Sequence, residues 1–167
     1  MTEFASDATA DIVPEPTAPP KSARRRAREF VLQALYQWRV GGASEAAIEA
    51  HTQDMEGFAK ADREFFVGTL RGVIAQNEKL AEQIGAHIDR PIAELSPIEA
   101  CVLMMGSFEL VHYVETPYRV IINECIELTK AFGGTDGHKY VNGVLNGLAP
   151  QLRAAEVEAD KAAGKAS

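Results

Sequence analysis

The chain has only two cysteines in 167 residues, Cys101 and Cys125. That excludes a disulfide framework and a cysteine-based zinc site, and leaves two reduced thiols whose expected role is packing. No apolar run approaches the roughly 18 residues of a membrane span. The N-terminus lacks the basic start and apolar stretch of a secretory signal, so a cytoplasmic protein is expected. Period-two alternation rich in β-branched residues is also missing, which argues against strands. The histidines, His51, His87, His112 and His138, fall on different predicted elements and form no helix-face ligand pair, so no metal or other cofactor is expected. The glycine-rich stretch from Gly133 to Gly137 follows no strand and leads into His138, which fails the context of a phosphate loop. Cys125 shares an apolar stripe with Ile121, Leu128 and Phe132. Nothing here marks a nucleophile, and no enzyme is expected.

A basic excess is lacking too. The formal charge is −7, which at first sight speaks against a nucleic-acid partner. The average conceals a reversal of sign. Residues 1–20 carry Glu3, Asp7, Asp11 and Glu15 and no Lys or Arg, so they contribute −4 and leave −3 for the rest. Immediately after them come Lys21, Arg24, Arg25, Arg26 and Arg28. With Pro14, Pro16, Pro19 and Pro20 among small and acidic residues, segment 1–20 reads as a disordered tail. Segment 153–167 has no aromatic residue and is expected to be flexible, or to prolong a helix by a turn or two before fraying.

Residues 21–152 read as all-α. A first helix starts near Ser22 and buries Ala27, Val31, Ala34, Leu35 and Trp38, stopping at Gly41 and Gly42. A shorter helix spans about Ser44 to Thr52. A long one runs from about Ala61 to His87 with Phe66, Leu70, Val73, Leu80 and Ile84 on one stripe, interrupted only by Asn77. Ser96, Pro97 and Glu99 then place an N-cap, an N1 proline and the acid of a capping box in register. The helix that follows, Cys101 to Val114, is apolar on nearly all sides and should be the buried hub. Thr116 and Pro117 repeat the cap-and-proline start for a helix through Phe132, and Asp136 is placed to cap a last one. On that last helix Gly143 and Gly147 suit the close approach of a neighbouring backbone.

At about 100° per residue, Arg25, Arg28, Tyr36 and Arg39 wrap into one stripe with Leu32 between them. The stripe lies beside the apolar face and is expected to be exposed. Guanidinium groups pair with phosphates, and an interleaved tyrosine offers a stacking platform worth about 1–3 kcal/mol per base. That combination suits single-stranded RNA, although a solvated helix face gives the same pattern. His138, Lys139 and Tyr140 form a second patch where free N–H groups at a helix start favour phosphate, with Asn142 and Asn146 continuing the Lys139 face. Glu124 and Glu127 read as capping, surface or partner contacts.

These residues carry a resemblance. Ala23-Arg24-Arg25-Arg26-Ala27-Arg28-Glu29 followed by Gln33-Ala34-Leu35-Tyr36 resembles the start of the NusB family of transcription antitermination factors. Pro117 through Glu124, Ile126 through Leu128 and His138 through Leu145 resemble its C-terminal signature. The match runs from about Arg24 to Leu152, with Tyr140 where the family carries Phe. The resemblance implies two small helical bundles packed across each other, about 21–88 and about 91–152. It further implies a non-enzymatic protein that binds boxA RNA together with NusE, a small-subunit ribosomal protein. The pair joins an RNA polymerase complex that suppresses termination, notably in ribosomal RNA operons. Residue by residue, Arg24, Arg25, Arg26, Arg28, Tyr36, Lys139 and Tyr140 would contact RNA, and Glu99 is the candidate for the partner. Two other readings stay open: a helical protein-interaction module, including a homodimer that covers the stripe, and an RNA-holding domain like that joined to RNA cytosine methyltransferases. No glycine-rich cofactor loop follows Leu152, which disfavours the second.

Overall fold

A computed structural model describes residues 21–166; the acidic, proline-rich segment 1–20 lies outside the described residues. Among them every element is helical: α1 (Ala23–Gly41), α2 (Glu45–Gln53), α3 (Arg63–Ala75), α4 (Asn77–Gly85), α5 (Pro97–His112), α6 (Tyr118–Phe132), α7 (Gly137–Leu152) and α8 (Ala154–Ala166). Short 3-10 turns lie at Phe58–Lys60 and Ile92–Glu94. No helix of the described residues is long and apolar enough to cross a membrane.

The first helix begins where the sequence places it. Ser22 Oγ accepts the N–H of Arg25 at 3.0 Å, filling one of the open donors of the first turn. It ends at Gly42, whose φ of 75° is a left-handed stop that suits glycine. The long helix expected over 61–87 is instead two. The chain turns at Gln76 (φ −107°, ψ 18°), and Asn77 Nδ2 donates to the Ile74 carbonyl at 2.7 Å, a side chain taking an acceptor that helix backbone would otherwise use.

The hub is α5. Every residue from Ala100 to Leu110 is buried, because α5 packs on α1, α3 and α4 on one side and on α6 and α7 on the other. Gly106 is where neighbours come closest: a Cβ there would sit 2.9 Å from Cys125 Sγ and 3.2 Å from Leu145. The glycines singled out on α7 behave differently. Nothing lies within 4 Å of a Cβ on Gly143, while Gly147 faces the His87 ring, so the pair makes no helix crossing.

Two expected caps are absent. Helix α6 starts at Tyr118 without a side-chain cap from Thr116, and Asp136 does not cap α7. Asp136 reaches Lys139 Nζ at 3.4 Å instead. The donor at the α6 start is satisfied from the far end of the chain: Tyr118 N–H donates to Glu156 Oε2 at 2.9 Å. Nor is the segment after Leu152 a mere fraying turn. Arg153 is buried and donates to the carbonyls of Leu110 (2.6 Å), Tyr113 (2.9 Å) and Thr116 (3.0 Å). Helix α8 then lies back on α7, with Val157 buried. The carbonyls at the end of α5 have no intrahelical donors, and a guanidinium fork supplies several at once.

Candidate nucleic-acid interface

The arginine motif opens α1, where the helix dipole is already positive and no acidic residue stands in the first turn. Cations at that end repel the dipole, so the arrangement needs carboxylates from elsewhere. Three elements supply them. Asp62, the N-cap of α3, lies 3.4 Å from Arg24 Nη2. Glu124 of α6 takes Arg25 in a two-pronged contact, Nε to Oε1 at 2.9 Å and Nη2 to Oε2 at 2.6 Å. Glu109 of α5 takes Arg28 in the same way, both bonds 2.9 Å. Arg24 also lies over the Phe65 ring, 4.7 Å from its centroid. Arg26 has no ion pair among the described residues.

Arg28 departs from the sequence expectation. Helical periodicity puts it on an exposed stripe, yet it is 4% exposed, with Glu109 at 0% and Leu32 at 1%. Burial works against its charge, but the hydrogen bond and the negative charge of Glu109, joined by Glu124, outweigh it and hold the guanidinium above its ordinary pKa. The reason is the crossing of α5 over the middle of α1. It splits the stripe, leaving Lys21, Arg24 and Arg25 accessible at one end and Tyr36, 39% exposed, at the other. Eleven residues separate Arg25 from Tyr36, about 16 Å along the axis. Arg39, half-buried, turns its Nη1 toward Met104 Sδ at 3.6 Å.

Lys21, Ser22, Arg24, Arg25, Arg28, Asp62, Thr116, Val120 and Glu124 line an open groove of about 600 Å³ between the α1 start and α6. Of the lining cations, Lys21 pairs with Glu29 at 2.8 Å, Arg24 with Asp62, Arg25 with Glu124 and Arg28 with Glu109, so the carboxylates balance the cations and the α1 dipole supplies the positive bias.

The second patch forms at the start of α7. Lys139 is exposed. Tyr140 is half-buried under Arg90, whose guanidinium lies 5.8 Å from the ring centroid. Burial, then the nearby Asp89 charge, pushes its phenol up. The patch brings together residues that the sequence reading assigned to different partners. Glu99, Tyr140, Arg90 and Gly137 line one groove of about 430 Å³. Glu99 Oε2 comes within 2.8 Å of where a Cβ on Gly137 would be, so the carboxylate sits at the positive end of α7. Glu99 and Glu109, ten residues apart on α5, separate the two grooves by about 15 Å along that helix.

The thiols are both buried. Burial pushes Cys101 up to about 11 and Cys125 higher still, so neither carries thiolate near neutral pH. Among the described residues no group of three or more His, Cys, Asp or Glu side chains could hold a metal ion.

Two of the acids that hold the arginines, Asp62 and Glu109, are missed from the sequence, and the third, Glu124, read there as a capping, surface or partner contact, takes Arg25. One of them left a trace, since Glu109 is the only acid inside an otherwise apolar stretch, and such a charge needs a partner.

Comparison with known proteins agrees with the geometry. The chain is 72% identical over 165 residues to the transcription antitermination protein NusB of Dechloromonas aromatica, covering 99% of this chain and all of that one. It is 54% identical over 145 residues to that of Ralstonia nicotianae, covering 87% and 94%. Among solved structures, NusB of T. maritima superposes with a TM-score of 0.71 at 24% identity, covering 85% of this chain and 99% of that one. A crystal structure of antitermination factors NusB and NusE in complex with dsRNA gives 0.70 at 21%, covering 75% and 95%. Residues 25–150 match the NusB family, and the chain belongs to that family.

Proposed function

We propose that the chain is a transcription antitermination factor that binds boxA RNA jointly with NusE and delivers the pair to an RNA polymerase complex in the cytoplasm. The observation that carries the reading is the groove at the α1 start, where Lys21, Arg24 and Arg25 meet the helix dipole. Arg24, Arg25 and Arg26 contact phosphate, Tyr36 stacks a base farther along α1, and Lys139 and Tyr140 hold a second stretch of RNA. Arg28, nearly buried, lines the floor of the same groove. Glu99 shares its groove with Tyr140, so the partner docks beside the RNA. An acidic protein binds RNA weakly by itself. A partner that raises RNA affinity must have its own affinity raised by RNA to the same degree.

The test is fluorescence anisotropy of a labelled single-stranded boxA RNA, with and without NusE, at two salt concentrations, against scrambled and duplex RNA. Binding is expected to tighten with NusE and to prefer boxA. Tyr36→Ala is expected to cost about 1–3 kcal/mol, and Arg25→Ala to flatten the salt dependence. If no RNA binds even with NusE present, the chain is a protein-interaction module instead.

A further inference from the structure

A third groove, about 400 Å³, lies between α6 and α7. It is lined by Arg119, Asn123, Asn142 and Asn146 together with Val120 and Ile126. Val120 lines this groove and the arginine groove alike, so the two adjoin at its exposed side chain. The chemistry fits a single strand of RNA. Carboxamides pair with base edges, apolar side chains receive base faces, and the one cation takes phosphate.

That cation is occupied. Arg119 Nε donates to Asp160 Oδ2 of α8 at 2.8 Å, and its Nη2 donates to the same oxygen. The Tyr118 hydroxyl adds a third donor there at 2.9 Å. One anionic oxygen thus collects three donors, as a phosphate oxygen does. Helix α8 begins at residue 154, beyond the 25–150 that match the family. The Arg119 and Asp160 side chains are 70% and 37% exposed, so water screens the pair and an incoming anion can displace it. Glu156, by contrast, is held by Arg153 and the Tyr118 N–H, which anchors α8 while Asp160 exchanges.

We propose that the α6–α7 groove continues the RNA track from the arginine groove, and that Asp160 gates it by holding Arg119 in place of a phosphate until RNA arrives. The inference rests on the RNA-binding reading above. It gives α8 a regulatory part: an RNA that reaches Arg119 must displace the acid, which lowers affinity at this end of the track.

The experiment compares Asp160→Asn with the unaltered full chain in the anisotropy assay with NusE and boxA RNA. Asn keeps an oxygen for the Tyr118 hydroxyl and removes the charge. An affinity gain of about three- to fivefold is expected at low salt, with a salt slope steeper by roughly 0.7, one more phosphate contact to a single strand. Arg119→Ala added to Asp160→Asn should cancel both changes. Glu158→Gln, which removes a charge of the same sign from the same exposed helix, should give neither. The inference is overturned if Asp160→Asn leaves affinity and slope unchanged, if its gain survives loss of Arg119, or if Glu158→Gln reproduces it. Absence of RNA binding by the folded, unaltered chain with NusE overturns the RNA reading itself, and this inference with it.

Discussion

Arg28 and Glu109 are 81 positions apart and meet in a buried two-pronged ion pair that joins the first helix to the hub. Removing one partner strands a charge out of reach of water, so Arg28→Ala should cost about 3–5 kcal/mol in urea unfolding. The double change Arg28→Met with Glu109→Leu should cost much less, since apolar groups of similar size leave nothing unpaired. Equal losses for the single and double variants would show that the pair is not a buried unit.

The clasp made by Arg153 is testable in the same way. Arg153→Ala takes the guanidinium donor from the carbonyls of Leu110 and Thr116 and one of two donors from Tyr113, which keeps the Thr116 N–H, and should lower stability by about 2–3 kcal/mol. Glu156→Ala removes the carboxylate that accepts the Tyr118 N–H at the α6 start and should cost about 1 kcal/mol. A tail without structural work would show neither loss in a thermal melt.

Gly106 sits where three helices converge. Alanine is the better helix former by about 1 kcal/mol, yet its methyl would press on Cys125 Sγ and Leu145. Overpacking of this kind costs about 1–3 kcal/mol, so Gly106→Ala should destabilise on balance. A rise in melting temperature would mean that α6 and α7 yield more readily than the packing suggests.

The raised thiol of Cys101 sets a pH dependence. The folded thiol stays protonated up to about 11, whereas the unfolded one ionises near its ordinary 9.0. The folded state therefore binds more protons between these values, and stability falls as pH rises through them. It is fully present below pH 9. Cys101→Ala should make the melting temperature fall less steeply between pH 9 and 11 than in the unaltered chain; parallel curves would rule the contribution out.

Much of this was legible in the sequence because it is local. Ser22, Ser44 and Ser96 each cap the helix they precede, and the apolar run of α5 announces its burial without any knowledge of its neighbours. What was not legible depends on crossings. Periodicity puts Arg28 beside Arg25 on one face, but only the passage of α5 decides that one is buried and the other open. At Gln76 and Arg153 the sequence shows an interrupted stripe and a domain edge but not the structure there, for a related reason. The causes, an asparagine side chain turned back on a carbonyl and a guanidinium reaching 43 residues upstream, leave no periodic trace. Glu99 and Tyr140 were each singled out, yet their shared groove needed the docking of α7 on α5.

The carboxylates that settle the arginine motif have a consequence for how the molecule is made. Synthesis runs from the N-terminus, so α1 exists before Asp62, Glu109 and Glu124. Until the last of these leaves the ribosome, the nascent chain carries an arginine-rich helix whose counter-charges have not been built, next to a particle made largely of RNA. The network closes only after α6 has emerged, which ties the maturation of the arginine-lined surface to completion of most of the chain.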